Sequence, residues 1–261
     1  MTHVVITGAS RGIGRGLAAA FLREGCRVTI GSRDAGAVAR AVEELRAECS
    51  TEVVSGCACD VSRYDDVRAL SEFAEGLAPI DVWVNNAGAN VPPGNLWEQA
   101  PSLLSDVAST NFAGVLFGAH AALRVMTPRG RGKIYNLEGL GADGSALRGF
   151  AAYGATKRAV RYLSRALAAE ARPTGVIVAT VDPGVVATRM LEEIAPATAP
   201  ALEPFIAALA QPVNDVAPHL ARSMLRNVRT GARLRAVGWL WVLCRIATVP
   251  FRRRVVPALG S

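Results

Sequence analysis

The chain has 261 residues, 51% of them apolar and 20% charged, with a formal net charge of +7. This composition excludes a disordered chain, and the length suits one large α/β domain able to bury a doubly covered sheet. Five cysteines (Cys26, Cys49, Cys57, Cys59, Cys244) are odd in number and fall at no metal-ligand spacing, which predicts free thiols in a reducing compartment and no bound metal.

Val4, Val5 and Ile6 form a β-branched run that ends in Thr7-Gly8-Ala9-Ser10-Arg11-Gly12-Ile13-Gly14, with Leu17, Ala18, Ala20, Phe21 and Leu22 following at helical spacing. The pattern reads as strand, turn, helix. Gly8 permits a tight turn, Gly12 lets backbone approach a pyrophosphate, and Gly14 seats the helix close on the sheet. The helix N-terminus then presents N–H groups to the phosphates. The spacing is G-x-x-x-G-x-G, not the commoner G-x-G-x-x-G. A plain turn is the alternative, and the flanking strand and helix argue against it. A strand beginning at residue 3 leaves no room for a signal or transit peptide, so a cytoplasmic protein is expected.

A second strand is expected over Arg27–Gly31, ending in Ser32-Arg33-Asp34. In a dinucleotide fold, an acid at this strand end binds the ribose 2′-hydroxyl, whereas an arginine accommodates a 2′-phosphate. Ser32 stands where the acid is expected, Arg33 follows, and Arg11 can approach the same phosphate, so the pair favours NADPH/NADP+ over the unphosphorylated cofactor. Either arginine alone is more often a solvated surface charge.

The pattern then predicts a helix over Ala35–Cys49, a strand over Glu52–Ala58 ending at Asp60-Val61, a helix over Arg63–Gly76, and a strand over Ile80–Val84 closed by Asn85-Asn86-Ala87-Gly88. Glu98–Met126 carries one long helical pattern with Asn111 in its middle, a poor helix former that invites a reason. Lys133–Leu137 is the fifth strand, Phe150–Ala171 a helix, and Gly175–Val181 the sixth strand, followed by Asp182-Pro183-Gly184. Such alternation calls for a parallel, doubly wound sheet: a Rossmann-type three-layer α/β/α architecture in a single domain over 1–261. The Pro/Ala-rich stretch within 190–212 suits a lid over the sheet's carboxyl edge, or an inert connector.

Tyr153 and Lys157 stand four apart on the predicted helix, so they share a face. A lysine ammonium beside a phenol favours the phenolate and eases proton donation to a developing alkoxide. A surface pair is the bland alternative. Only two lysines occur in this arginine-rich chain, Lys133 and Lys157.

With these residues in order, the chain resembles the short-chain dehydrogenase/reductases. The resemblance rests on TGASRGIG at 7–14, Asp60-Val61, NNAG at 85–88, Asn111, Tyr153/Lys157 and PGVVAT at 183–188. It implies Tyr153 as proton donor, Lys157 on the nicotinamide ribose, and Asn111 in support of a water-linked proton relay. It places Asp60 and Val61 at the adenine end, Asn86, Ala87 and Gly88 along the cofactor, and Val186 and Thr188 at the carboxamide, with Pro183 and Gly184 leading into them.

One departure stands out. The family usually ends its fifth strand in a run like N-I-S-S, whose last Ser helps bind the substrate carbonyl, but here Asn136-Leu137-Glu138-Gly139 puts Gly139 in that place. Either another group substitutes, with Ser145 the nearest hydroxyl in sequence, or the chain is a catalytically weak NADP(H)-binding scaffold or sensor. The stretches 136–144 and 148–158 are similar to the chlorophyll(ide) b reductases, in which the usual Ser is also absent. That narrower resemblance implies reduction of an aldehyde or ketone on a bulky apolar substrate, such as the 7-formyl group of chlorophyll(ide) b. Another hydrophobic ketone or alcohol is the alternative, and a dimer or tetramer is implied.

From Val216 onward there are nine arginines and no Asp or Glu, so the basic excess belongs to this end of the chain. The region 233–261 is expected as a basic apolar tail. Arg233–Val237 can form a last strand, and Gly238–Val249 is apolar all round, with Trp239 and Trp241 before Arg252-Arg253-Arg254. About 20 apolar residues are needed to span a bilayer, so this segment suits an interfacial anchor at the inner face of a membrane, or a helix in an oligomer interface. No nucleic-acid role is expected, because the arginines are not interleaved on an aromatic platform.

Overall fold

Strand and helix alternate as the pattern requires in the computed structural model, which describes residues 1–194 and 203–247. The strands are β1 (His3–Thr7), β2 (Arg27–Ser32), β3 (Val54–Ala58), β4 (Val82–Asn85), β5 (Gly132–Leu137), β6 (Val176–Asp182), β7 (Val186–Ala187), β8 (Gln211–Pro212) and β9 (Arg233–Arg235). Seven pair in the order β3-β2-β1-β4-β5-β6-β9, every pair parallel, while β7 and β8 form a separate short ladder.

All five residues of β1 are buried. That is the position of a central parallel strand covered on both faces, and it is why the strand reads as a continuous apolar run. Alternation sorts its side chains: Val4 and Ile6 join a core with α1 (Gly12–Arg23), α2 (Ala35–Cys49) and α9 (Val213–Arg226), while Val5 joins the opposite core. That second core is built on α3 (Tyr64–Leu77), α5 (Gly114–Met126) and α6 (Ala151–Glu170). The strand order reverses where β1 lies between β2 and β4, which opens a crevice at the carboxyl ends of these strands.

A buried chain of side-chain hydrogen bonds ties the middle strands to α6. Trp83 Nε1 donates to Asn85 Oδ1 (2.8 Å), Asn85 Nδ2 to Asn136 Oδ1 (2.8 Å), Asn136 Nδ2 to Ser164 Oγ (2.8 Å), and Ser164 Oγ to the Val160 carbonyl (2.7 Å). Buried polar groups must be partnered, so this chain fixes one register of α6 on β5.

The single helix expected over 98–126 is corrected. A helical turn at Leu96–Glu98 precedes α4 (Pro101–Ala108), a π turn occupies Ser109–Ala113, and α5 follows. The cause is Asn111. Its Oδ1 accepts from the Ala89 N–H (2.7 Å) and its Nδ2 donates to the Ala89 carbonyl (2.9 Å), so the side chain holds a backbone outside the helix and the turn widens around it. Helix α9 was not anticipated, because Pro212 and Pro218 punctuate its sequence. The stretch read as a lid or connector contains α7 (Arg189–Ile194), α8 (Glu203–Leu209) and β8, with residues 195–202 outside the described residues. In the tail, β9 pairs with β6, and α10 (Trp239–Ala247) follows. The remainder of the tail, including Arg252-Arg253-Arg254, lies outside the described residues.

Candidate active site

The crevice is a cleft of about 630 Å³. One end is built from the turn after β1. Gly8 and Gly12 have φ of +65° and +58°, a region that favours glycine. A Cβ on Gly8 would lie 2.6 Å from Ala87 Cα, and one on Gly14 would collide with Asn86 Nδ2 and the Gly8 carbonyl. Asn86 locks this approach by donating from Nδ2 to the carbonyls of Thr7 (2.8 Å) and Gly8 (3.0 Å). The turn leads into α1, whose N-cap Arg11 makes no capping bond with its side chain and whose first turn carries no acid. The positive end of the helix dipole therefore meets the cleft uncompensated by any such acid.

Ser10, Ile13, Ser32 and Arg33 line the same end with Arg11. Ser10 Oγ donates to Ser32 Oγ at 3.0 Å, closing the strand end that an acid would have occupied. Among the described residues neither Arg11 nor Arg33 makes an ion pair, and both are exposed to the cleft. Val61, Gly88, Pro183, Gly184, Val186 and Thr188 complete the wall. Asp60 is set behind it: Oδ1 accepts from the Ser62 N–H (3.0 Å) and Oγ (2.7 Å), while Cys59 and Val61 face the cleft. Burial pushes the Cys59 thiol up to about 12, so it is not a nucleophile.

At the centre, α6 carries Tyr153 and Lys157 into the cleft. Lys157 is buried, and its Nζ donates to the Leu137 carbonyl (3.3 Å) and stands 5.7 Å from the centre of the Tyr153 ring. Burial lowers the ammonium to about 8, opposed by the Glu138 carboxylate. Burial also raises the Tyr153 phenol, to about 12. The tyrosine is therefore held protonated here, not driven toward phenolate. Gly139 explains how close it comes: a Cβ at that position would lie 2.5 Å from the Tyr153 hydroxyl and 3.3 Å from Lys157 Cε. The space of the missing side chain is the space of the hydroxyl.

Asn111 is fully buried and is not itself part of the cleft wall; besides Ala89, its Nδ2 donates to Thr156 Oγ1 (3.2 Å) on α6. Both its polar atoms are engaged. Any part in a water relay would run through its backbone or through its hold on Ala89. Ser145 lines the cleft, but its hydroxyl donates to Asp143 Oδ1 at 2.7 Å.

The outer cleft is walled by Leu140, Leu147, Phe150, Val185, Met190 and Leu209, an apolar chamber contributed by the loops after β5 and β6 and by α7 and α8. The cleft is also lined by a charged cluster that sequence reading passed over, Glu138, Asp182 and Arg233. Glu138 has a side chain only 1% exposed, and Arg233 Nε donates to its Oε2 at 2.8 Å. Arg233 Nη2 also donates to Asp182 Oδ2 (3.0 Å), and Arg161 Nε stands 3.7 Å from Glu138 Oε1. The signal was an acid at the end of a buried strand, where a charge needs a partner.

A family profile described as short chain dehydrogenase matches residues 2–199. The chain is 41% identical over 225 residues to chlorophyll(ide) b reductase NOL, chloroplastic, of Oryza sativa subsp. japonica, covering 84% of this chain and 65% of that protein. The protein of the same description in Arabidopsis thaliana is 39% identical over 224 residues, with 84% and 64% covered. The chain thus spans about 65% of the length of these two relatives. Among solved structures, a single-substitution variant of actinorhodin polyketide ketoreductase with NADPH superimposes with a TM-score of 0.81 at 29% identity, covering 92% of this chain and 97% of that one.

Proposed function

The chain belongs to the short-chain dehydrogenase family, and from that premise we propose that it is an NADPH-dependent carbonyl reductase acting on an aldehyde or ketone of a bulky apolar substrate. The observation that carries this reading is the Tyr153 hydroxyl with Lys157 behind it, in the same cleft as a glycine cradle at a helix N-terminus. The cradle fits a dinucleotide, since side chains on Gly8 or Gly14 would close it. A bound nicotinamide would supply a hydride to the carbonyl carbon. Tyr153 gives its proton to the carbonyl oxygen. Lys157 steadies the charge left on the phenol and holds the ribose. Asn111 keeps Ala89 in place beside Gly88, and Gly139 lets the hydroxyl lie against the β5 backbone.

The apolar outer chamber suits a large ring system, and similarity to chlorophyll(ide) b reductases makes the 7-formyl group of chlorophyll(ide) b the first substrate to try. Arg11 and Arg33 support NADPH as the cofactor. The test is NADPH oxidation with chlorophyllide b beside a panel of hydrophobic aldehydes and ketones. Turnover lost in Tyr153→Phe at unchanged NADPH affinity is the expected result. If no carbonyl compound is turned over while NADPH binds tightly, the chain is a scaffold or sensor. The exposed α10 is proposed as a contact with an anionic bilayer surface or a second subunit of a dimer or tetramer. Among the described residues no helix is long and apolar enough to cross a membrane.

A further inference from the structure

Glu138 has no part in the chemistry above, yet it directly follows β5 and lines the cleft. Its carboxylate is almost wholly buried, and removing a carboxylate from water costs several kcal/mol unless partners compensate. Compensation comes from two arginines. Arg233 on β9 grips Oε2 at 2.8 Å and is itself steadied by Asp182 at the end of β6. Arg161 on α6 stands 3.7 Å from Oε1, and that oxygen has no hydrogen-bond partner. Arg161 is one helical turn beyond Lys157, and the Lys157 Nζ is bonded to the carbonyl of Leu137, the residue before Glu138. The carboxylate is therefore held between Arg161 of α6 and Arg233 of β9, next in the chain to the residue whose carbonyl accepts from Lys157 and one residue from the glycine that abuts the Tyr153 hydroxyl.

We propose that Glu138 is a positioning residue of the Tyr153–Lys157 site: clamped by Arg233 and Arg161, its buried carboxylate fixes the place and charge of the lysine ammonium. Tyr153 is uncharged, so Glu138 is the anion acting on Lys157, with Arg161, Arg233 and Asp182 ranged behind it. Its reductase consequence rests on the reading above, but its effect on Lys157 does not.

The chain contains only Lys133 and Lys157, so protein labelled with 13C in lysine gives two side-chain signals, assigned by Lys133→Arg. In Glu138→Gln, which keeps the shape and loses the charge, the Lys157 titration midpoint should fall by about 0.5–1 pH unit while that of Lys133 stays put. The alkaline limb of kcat/KM should move with it, and Glu138→Asp should restore part of both. A Lys157 midpoint unchanged in a folded Glu138→Gln protein overturns the proposal and leaves a structural ion pair. Should that variant not fold, Arg161→Gln strips a partly exposed cation from the same carboxylate. With one cation fewer competing for it, the carboxylate acts more fully on Lys157, so the midpoint should rise, and a constant value again overturns the proposal. A shifted midpoint in a protein that reduces no carbonyl compound would sink the reductase reading alone.

Discussion

At the scale of single residues, Gly139 marks the difference between this site and the usual family pattern. If it were a mere loss of a hydrogen-bond donor, Gly139→Ser would raise the rate. The geometry says the opposite, because the new Cβ would stand 2.5 Å from the Tyr153 hydroxyl and push it off its place. A misplacement of about 1 Å can cost about 10²-fold, so kcat should fall by about that factor with NADPH affinity within about twofold, read by steady-state kinetics and fluorescence titration. Lys157 sets the pH dependence. Its ammonium, lowered to about 8, discharges as pH rises, while Tyr153 stays protonated to about 12. The profile of kcat/KM for reduction should therefore be flat on the acid side of 8 and decline above it. On the proposed reading the two arginines at the far end would set cofactor choice: charge-assisted bonds of about 1.5–3 kcal/mol correspond to a preference on the order of 10–10² for NADPH. Arg33→Ala should lose most of it, and Ser32→Asp with Arg33→Ala should turn it toward NADH, as measured by the dissociation constants of both cofactors.

Among elements, the π turn shows what a local pattern hides. Asn111→Ala would strip the Ala89 N–H and carbonyl of their partners in a buried setting, at about 1–3 kcal/mol. The urea midpoint should drop accordingly, and NADPH binding should weaken because Ala89 follows Gly88 in the cleft wall. A variant of unchanged stability would mean that water replaces the amide. The sequence already showed an Asn out of place in a helix, but its partner lies 22 residues away, so the turn type could not be read. Short-range signals served better. The Asp34 cap, which accepts from the Ala37 N–H at 2.8 Å, starts α2 where the pattern placed it, and the β-branched runs place β1 to β6 within a residue or two. Helix α9 was hidden by its prolines, although its apolar face of Val216, Ala217, Leu220, Ala221 and Met224 packs on α1 over Gly16. The glycine cradle and the Tyr153–Lys157 pair were legible because each is written within a few adjacent residues. The Glu138–Arg233 pair spans 95 residues and exists only once β9 docks beside β6.

Across the whole molecule, the uneven charge takes on a different meaning once the chain is folded. Part of the basic excess after Val216 is absorbed internally: Arg222 stands 3.6 Å from Glu24, Arg233 serves Glu138 and Asp182, and Arg245 lies 5.2 Å over the Trp241 ring while its Nε donates to the Ala208 carbonyl. That last contact ties α10 to α8, whose Leu209 lines the outer cleft. The mouth of an apolar chamber is thus joined to a helix that leaves Leu240 61% and Leu243 52% exposed. A lipid surface meeting these leucines would place the chamber where an apolar substrate is most concentrated. The expected outcome is cosedimentation with vesicles of phosphatidylglycerol and phosphatidylcholine, weakened by salt as exposed charges are screened. Replacing both leucines by aspartate removes burial of at least about 3 kcal/mol, or on the order of 10² in partition. NADPH affinity, set at the opposite end of the cleft, should not change. If the double variant instead halves the mass in solution and the wild type ignores vesicles, α10 is a contact between subunits.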